Sequence, residues 1–241
     1  MADEDWETIE RIRHPEPFGW NTVFAFHNKE DSGHEQPWVR YLAGDNPNYP
    51  EQILHASHQM VYRRLALLRE NDAVGTRHHV HHWQWGNPVS PEALVQLTLG
   101  GPQPIYNGGL LHCRLRYFDA CQRRPGLPED VGALVEKLEA QRTVVRLVNL
   151  NPNEGRELII QAGAFGEHRF GTAKYFARTS KWPGELGGYA GSYVAPPLMT
   201  EARMAAVNNT HLCVELAPGM EIILDLTTDR FVNEPSYSAP W

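Results

Sequence analysis

The sequence lacks the features by which two large classes of protein are recognised. It has no run of basic residues, and its 22 Lys and Arg are outnumbered by 29 Asp and Glu, for a net charge of −7. Because such a chain repels a phosphate backbone on average, no nucleic-acid partner is expected. No apolar run approaches the roughly 20 residues that span a bilayer, so no membrane partner is expected either.

Export signals and cysteine frameworks are missing as well. The first ten residues, MADEDWETIE, are acidic and contain no apolar core of a signal peptide. Cys113, Cys121 and Cys213 are odd in number and lack the spacing of a metal site. Free thiols in a reducing compartment, and hence a cytoplasmic location, are therefore predicted.

No catalytic motif fixes a reaction. The sequence contains no Gly-x-Ser-x-Gly elbow, Gly-rich phosphate loop, Cys-x-x-Cys pair or His-Glu-x-x-His helix. Each of these motifs carries a defined chemistry, so their absence counts against the corresponding enzyme classes. Whether the protein is an enzyme is left open.

Turn formers and β-type alternation dominate what is present. Residues 143–170 hold two apolar-rich runs on either side of the turn-forming segment 151–155, NPNEG. In the second run Leu158, Ile160 and Ala162 fall on one face, as in a half-buried strand. We predict a β-hairpin here and a second one over residues 211–226, with a Pro-Gly turn.

Helical signals occupy shorter parts of the chain. Residues 48–72 open with Pro50 and Glu51, which suit a helix N-terminus, and continue with apolar residues at helical spacing. Residues 125–141 place four apolar side chains on one helical face: Val131, Leu134, Val135 and Leu138. Helices are predicted over both segments.

These elements predict a mainly β fold. We expect an antiparallel β-sandwich with one long and one or two short helices packed on it. Residues 1–47 are predicted to be an extended aromatic arm, and residues 48–241 a single sandwich-type domain with helical insertions over 48–72 and 125–141. Because such an arm usually wraps its own domain or a neighbouring subunit, a homo-oligomer or a subunit of a larger complex is expected.

The stretch RHHVHHWQW, residues 77–85, is the most unusual in the chain. If it is a strand, His79 and His81 project from one face and can offer two imidazoles to one divalent metal, with a remote ligand such as His112. This pattern predicts a cupin-like metal site, although the Glu that completes the cupin pattern is absent. The alternative is a polar edge or a subunit contact.

Two tryptophans share that face with the histidines. Trp83 and Trp85 offer flat rings on which a sugar can stack while nearby donors bind its hydroxyls. Tyr106 and Trp182 belong to loops that could join the same surface. A carbohydrate ligand is predicted here, and the alternative is that these rings close the edges of the core.

Carboxylates suited to acid–base chemistry are harder to select. Glu35 and the pair Glu167-His168 are the candidates for catalysis, since the pair follows Gly166 after an apolar strand and could lie at a sheet edge. Glycoside hydrolysis needs two carboxyl groups about 5 to 10 Å apart, and sequence spacing does not identify such a pair.

The segments LVNLNPNEGRELIIQAGAFGEHRF and HLCVELAPGMEIILDL resemble the β-sandwich modules that end many carbohydrate-active enzymes of the glycoside hydrolase and polysaccharide lyase type. The resemblance implies a protein that binds or processes a glycoside or oligosaccharide, alone or beside a partner. It carries over no catalytic residue, because the helical toroid of those enzymes needs far more helix. The alternatives are a cupin-like metal enzyme and a structural or assembly protein.

Overall fold

The computed structural model describes residues 23, 36–70, 86–89, 91–101, 109–178 and 200–241. Contacts group the chain into two compact units. The described residues of the first lie within Met1–Arg116, Leu134–Leu138 and Gly163–Phe165, and those of the second within Tyr117–Ala133, Glu139–Ala162 and Gly166–Trp241. None of the described helices is long and apolar enough to cross a membrane.

The first unit contains the helices. They are α1 (Gln36–Ala43), α2 (Tyr49–Glu70), α3 (Glu92–Leu94), a π-helix (Val95–Leu99) and a 3₁₀ helix (Gly109–His112). The long helix α2 confirms the helix predicted over residues 48–72.

Part of the predicted extended arm is helical instead. In α1, Trp38 and Tyr41 are three residues apart, a spacing that places both rings on one side of a helix. Their ring centroids lie 5.6 Å apart, and Trp38 also lies 5.9 Å from Tyr49 of α2. Trp38 is fully buried, so aromatic packing against α2 stabilises the helical form.

The strands form two sheets. They are β1 (Leu115–Asp119), β2 (Arg124–Pro125), β3 (Val131–Glu139), β4 (Arg142–Asn149), β5 (Arg156–Ala162), β6 (Arg169–Arg178), β7 (Thr200–Asn209), β8 (His211–Leu216) and β9 (Glu221–Asp229). The four-stranded sheet has the order β2-β1-β5-β8, and the five-stranded sheet has the order β3-β4-β9-β6-β7. The predicted mainly β fold, an antiparallel β-sandwich with helices, is confirmed.

The helix predicted within residues 125–141 is wrong. Asp130 adopts a left-handed φ of 63°, which interrupts a helix, and β3 follows directly. At Gly132 an added Cβ would lie only 3.1 Å from Cγ1 of Val148 on β4, so the two strands are in close contact. Pairing with β4 across the short turn at residues 140–141 outweighs the local helical spacing of apolar residues.

Neither predicted hairpin is a hairpin, although all four strands exist. The turn at residues 150–155 connects β4 of one sheet to β5 of the other, and residues 217–220 likewise connect β8 to β9. Each strand pairs with a strand distant in sequence: β4 with β9 and β5 with β8. Alternation of apolar residues identifies a strand and its buried face, but it does not identify the hydrogen-bonded neighbour.

The side chain of Asn149 joins these two connections between the sheets. It is fully buried, and its Nδ2 donates to the carbonyl oxygens of Glu154 at 2.8 Å, Leu216 at 3.2 Å and Ala217 at 3.2 Å. Its Oδ1 accepts the backbone N–H of Asn151 at 3.0 Å. One amide therefore satisfies backbone groups of both crossings at the same end of the sandwich.

The core of the second unit follows the alternation of its strands. Fully or nearly fully buried residues come from both sheets: Tyr117, Leu158, Ile160, Val145, Leu147, Leu224 and Leu226. Burial also raises the pKa of the Tyr117 hydroxyl far above its ordinary value. The side chains between these positions point away from the core, and on the five-stranded sheet they form a groove.

Candidate ligand-binding groove

A groove of about 530 Å³ crosses the outer face of the five-stranded sheet. It runs over four adjacent strands, β4, β9, β6 and β7, within the second unit. Its lining residues are Arg142, Val144, Ile223, Asp225, Lys174, Tyr175, Phe176, Ala202, Arg203 and Met204.

Strand register brings the central residues of the groove together. Val144 pairs with Asp225, Asp225 with Lys174, and Lys174 with Met204, so one cross-strand row spans the groove. These residues alternate with buried ones such as Leu224 and therefore point away from the core. The position of the groove thus follows from the strand pairing.

The apolar part of the groove is unusually exposed. Phe176 on β6 is 64% exposed, and Met204 on β7 is 68% exposed. Phe176 pairs across the strands with Ala202, whose small side chain leaves the aromatic ring uncovered. An accessible ring with a small neighbour is a surface on which a flat or weakly polar ligand face can rest.

A fixed ion pair borders this apolar surface. Arg142 donates from Nε to Asp225 Oδ1 at 2.8 Å and from a terminal nitrogen to Oδ2 at 2.9 Å. These hydrogen bonds raise the pKa of Arg142 above its ordinary value. Arg142 also donates to Glu139 at 3.4 Å. A bidentate pair of this kind holds both groups in one orientation, ready to bind polar groups of a ligand.

The two other cationic residues that line the groove differ in their ion pairing. Arg203 donates to Glu201 at 2.5 and 3.0 Å, which raises its pKa. Lys174 makes no ion pair within the part of the chain that the structure describes, although it faces Asp225 across the strands. Each Asp225 oxygen instead accepts a hydrogen bond from Arg142.

Strand β7 forms one wall of the groove and is exposed along most of its length. It pairs with β6 and ends the sheet among the described strands. Eight of its ten residues are exposed and the other two are half-buried. A strand without buried residues on either face contributes little to a core, so its ten-residue length is not explained by packing within this unit.

Most residues that the sequence singled out lie outside the described part of the chain. These are the catalytic candidate Glu35, the metal candidates His79 and His81, and the stacking candidates Trp83, Trp85, Tyr106 and Trp182. Their proposed roles remain predictions.

Glu167 and His168 are described, and both are buried, with exposures of 3% and 1%. The His168 ring lies 3.7 Å from the Glu167 carboxylate, and its Nδ1 accepts the backbone N–H of Phe231 at 3.1 Å. The Glu167 carbonyl accepts the N–H groups of Val232 and Asn233. The pair therefore anchors the segment that follows β9, and its predicted catalytic role stays a prediction.

His112 is described as an exposed residue at the end of the 3₁₀ helix. Among the described residues, no group of three or more His, Cys, Asp or Glu has the arrangement of a metal site. Since His79 and His81 lie outside these residues, the predicted metal site stays a prediction.

Sequence reasoning missed the groove, although a signal for it exists. In β6 the alternation that buries Ala173 places Lys174 and Phe176 on the outer face. An aromatic residue in the outward phase of a strand is the feature that could have identified the surface. The residues that line the groove beside Phe176 belong to β7 and β9, and the sequence does not predict that these strands pair with β6.

Comparisons with known proteins assign neither a family nor an activity to this chain. Residues 1–95 match the model of a domain of unknown function, DUF8034, and no curated protein matches the chain. One solved structure that matches is an α-L-arabinofuranosidase from Thermotoga maritima in complex with arabinose, with 9% identity and a TM-score of 0.27 over 47% of this chain and 23% of the enzyme. A second arabinofuranosidase matches with the same identity and TM-score over 46% of this chain and 22% of its own. The chain thus matches less than a quarter of each glycoside hydrolase, and this weak similarity assigns no activity.

Proposed function

We propose that this protein binds a carbohydrate in the groove on the outer face of its five-stranded sheet. The observation that carries the proposal is the exposed ring of Phe176 in a groove that also holds the bidentate Arg142–Asp225 pair. This binding surface differs from the Trp and His residues that the sequence favours, because its residues meet only through strand pairing.

The chemistry of the groove suits a sugar ring. A pyranose or furanose presents C–H groups on one face, which stack on an aromatic ring, and hydroxyls at its rim, which need donors and acceptors. Phe176 and Met204 provide the apolar surface, while the N–H groups of Arg142 and the lone pairs of Asp225 that their mutual pair does not use can bind hydroxyls in a fixed orientation. The groove crosses four strands, so it can hold more than one sugar unit.

The test is a binding screen with one variant and one matched control. Wild-type protein, Phe176→Ala and Tyr62→Ala are titrated calorimetrically with neutral and acidic oligosaccharides of defined linkage. Tyr62 is a similarly exposed ring, at 69%, on α2 and outside the groove. Loss of the stacking ring should weaken binding about fivefold in Phe176→Ala, because a ring contact of this kind contributes on the order of 1 kcal/mol.

The screen would contradict the proposal if no oligosaccharide binds the wild type, or if both variants bind as well as it does. Circular dichroism and urea unfolding check that both variants keep the wild-type fold.

A second function, self-assembly, is favoured by the exposure of β7. A long exposed strand at the end of a sheet can pair with a strand of another copy. In that case a charge placed on β7 by Ala206→Lys lowers the mass of the particle measured by light scattering, while Phe176→Ala and added oligosaccharides leave it unchanged. Ala206 is exposed and does not line the groove, so Ala206→Lys and Phe176→Ala together separate the two functions.

A further inference from the structure

We infer that the groove prefers a sugar that carries a carboxylate, a uronic acid, and that Lys174 provides this preference. The inference rests on the proposed carbohydrate function and names the ligand class of the same groove. The observation that carries it is a lysine at the centre of the lining that makes no ion pair with any residue the structure describes.

The position of Lys174 makes its ammonium group available to a ligand. It occupies the middle of the cross-strand row, between Asp225 on β9 and Met204 on β7, and its side chain is exposed. Phe176 lies two residues further along the same strand and on the same face. A sugar stacked on Phe176 therefore has its substituents within reach of a long lysine side chain.

The charged residues around Lys174 form ion pairs with other groups that the structure describes. Asp225 is its direct cross-strand neighbour, yet both carboxylate oxygens of Asp225 accept hydrogen bonds from Arg142. Arg203, the third cation of the lining, is held by Glu201. Of the three cations, Lys174 alone makes no ion pair among the described residues.

A carboxylate on the ligand would complete this arrangement. The chain as a whole carries a net charge of −7, so an acidic sugar is repelled at long range and gains only where a local cation meets it. Neutral sugars would stack on Phe176 equally well but would leave the ammonium group without a partner. The preference should therefore depend on Lys174 and decrease at high salt.

The experiment compares two probes that differ in the carboxylate. An oligogalacturonate and a neutral galacto-oligosaccharide of the same length and linkage are titrated into wild type, Lys174→Gln and Lys137→Gln at low and high salt. Lys137 is an exposed lysine of β3 that does not line the groove. We expect the wild type to bind the acidic oligomer about fivefold more tightly at low salt, as one exposed ion pair allows.

The two variants should differ in their preference for the acidic oligomer. Lys174→Gln should lose the preference and keep its affinity for the neutral oligomer, while Lys137→Gln should behave as wild type. Equal affinity of the wild type for both oligomers, or a preference that survives in Lys174→Gln, would overturn this inference and leave the carbohydrate proposal intact. Binding of neither oligomer, with no binding in the wider oligosaccharide screen, would overturn both.

Discussion

Replacement of Asn149 by Ala should destabilise the second unit by about 3 kcal/mol. The amide nitrogen has two protons to share among the carbonyl oxygens of Glu154, Leu216 and Ala217, and the amide oxygen accepts from Asn151. The substitution thus removes three hydrogen bonds at a fully buried position. Each bond contributes about 1 kcal/mol net, and buried carbonyl groups left without a donor increase the loss.

The assay is urea unfolding followed by fluorescence and circular dichroism, with the free energy of unfolding compared at matched m-values. Asn153→Ala is the control, since Asn153 is exposed in the same connection and contributes its backbone N–H to Asn151. The control should change the free energy by less than about 0.5 kcal/mol. Asn149→Asp should cost more than Asn149→Ala, because it aims a carboxylate at carbonyl oxygens. A loss below about 1 kcal/mol in Asn149→Ala would refute the view that this amide joins the two crossings.

Two further predictions concern Gly171 on β6 and His211 on β8. Gly171→Ala should destabilise the protein by about 1–2 kcal/mol, because the added Cβ would lie 2.8 Å from Thr227 Oγ1. If that clash is the cause, the double variant Gly171→Ala/Thr227→Ala should recover part of the lost free energy of unfolding, measured with urea. Burial lowers the pKa of His211 in the folded protein. As the pH falls below about 6.5, the imidazole is therefore protonated more readily in the unfolded chain than in the folded one, and the free energy of unfolding decreases. The free energy of unfolding of His211→Gln should therefore fall less than that of the wild type between about pH 7 and pH 5, and parallel curves would contradict this assignment.

Local structure was predicted correctly where the pattern within a single strand or helix is sufficient to identify it. The helix over α2 and the strands β4, β5, β8 and β9 were all located from periodicity and turn residues. The helix expected within 125–141 failed because Val131, Leu134, Val135 and Leu138 suit a helical face, whereas the segment pairs with β4. Local periodicity was outweighed there by pairing with a neighbour that the pattern does not specify.

Pairing between strands is where prediction from the sequence ended. A Pro-Gly or Asn-Pro-Asn-Glu-Gly segment reverses the chain whether the next strand joins the same sheet or the opposite one. Here the crossings to the opposite sheet are stabilised by Asn149, whose amide binds backbone groups of both connections. A single Asn before a turn is common, so its role became clear only from the distances to residues about 67 positions away.

The groove shows the same limit at the level of function. Aromatic and histidine residues clustered along the chain, such as Trp83 and His81, attract attention because they are neighbours in sequence. The groove residues are dispersed, since Arg142 and Asp225 are 83 positions apart and meet through the pairing of β4 with β9. A binding surface on a sheet face draws one or two residues from each strand, so its signal in sequence is an outward-facing ring rather than a motif. Phe176, which is exposed on the outward face of β6, is such a ring, and its replacement is therefore the most direct test of the proposed carbohydrate site.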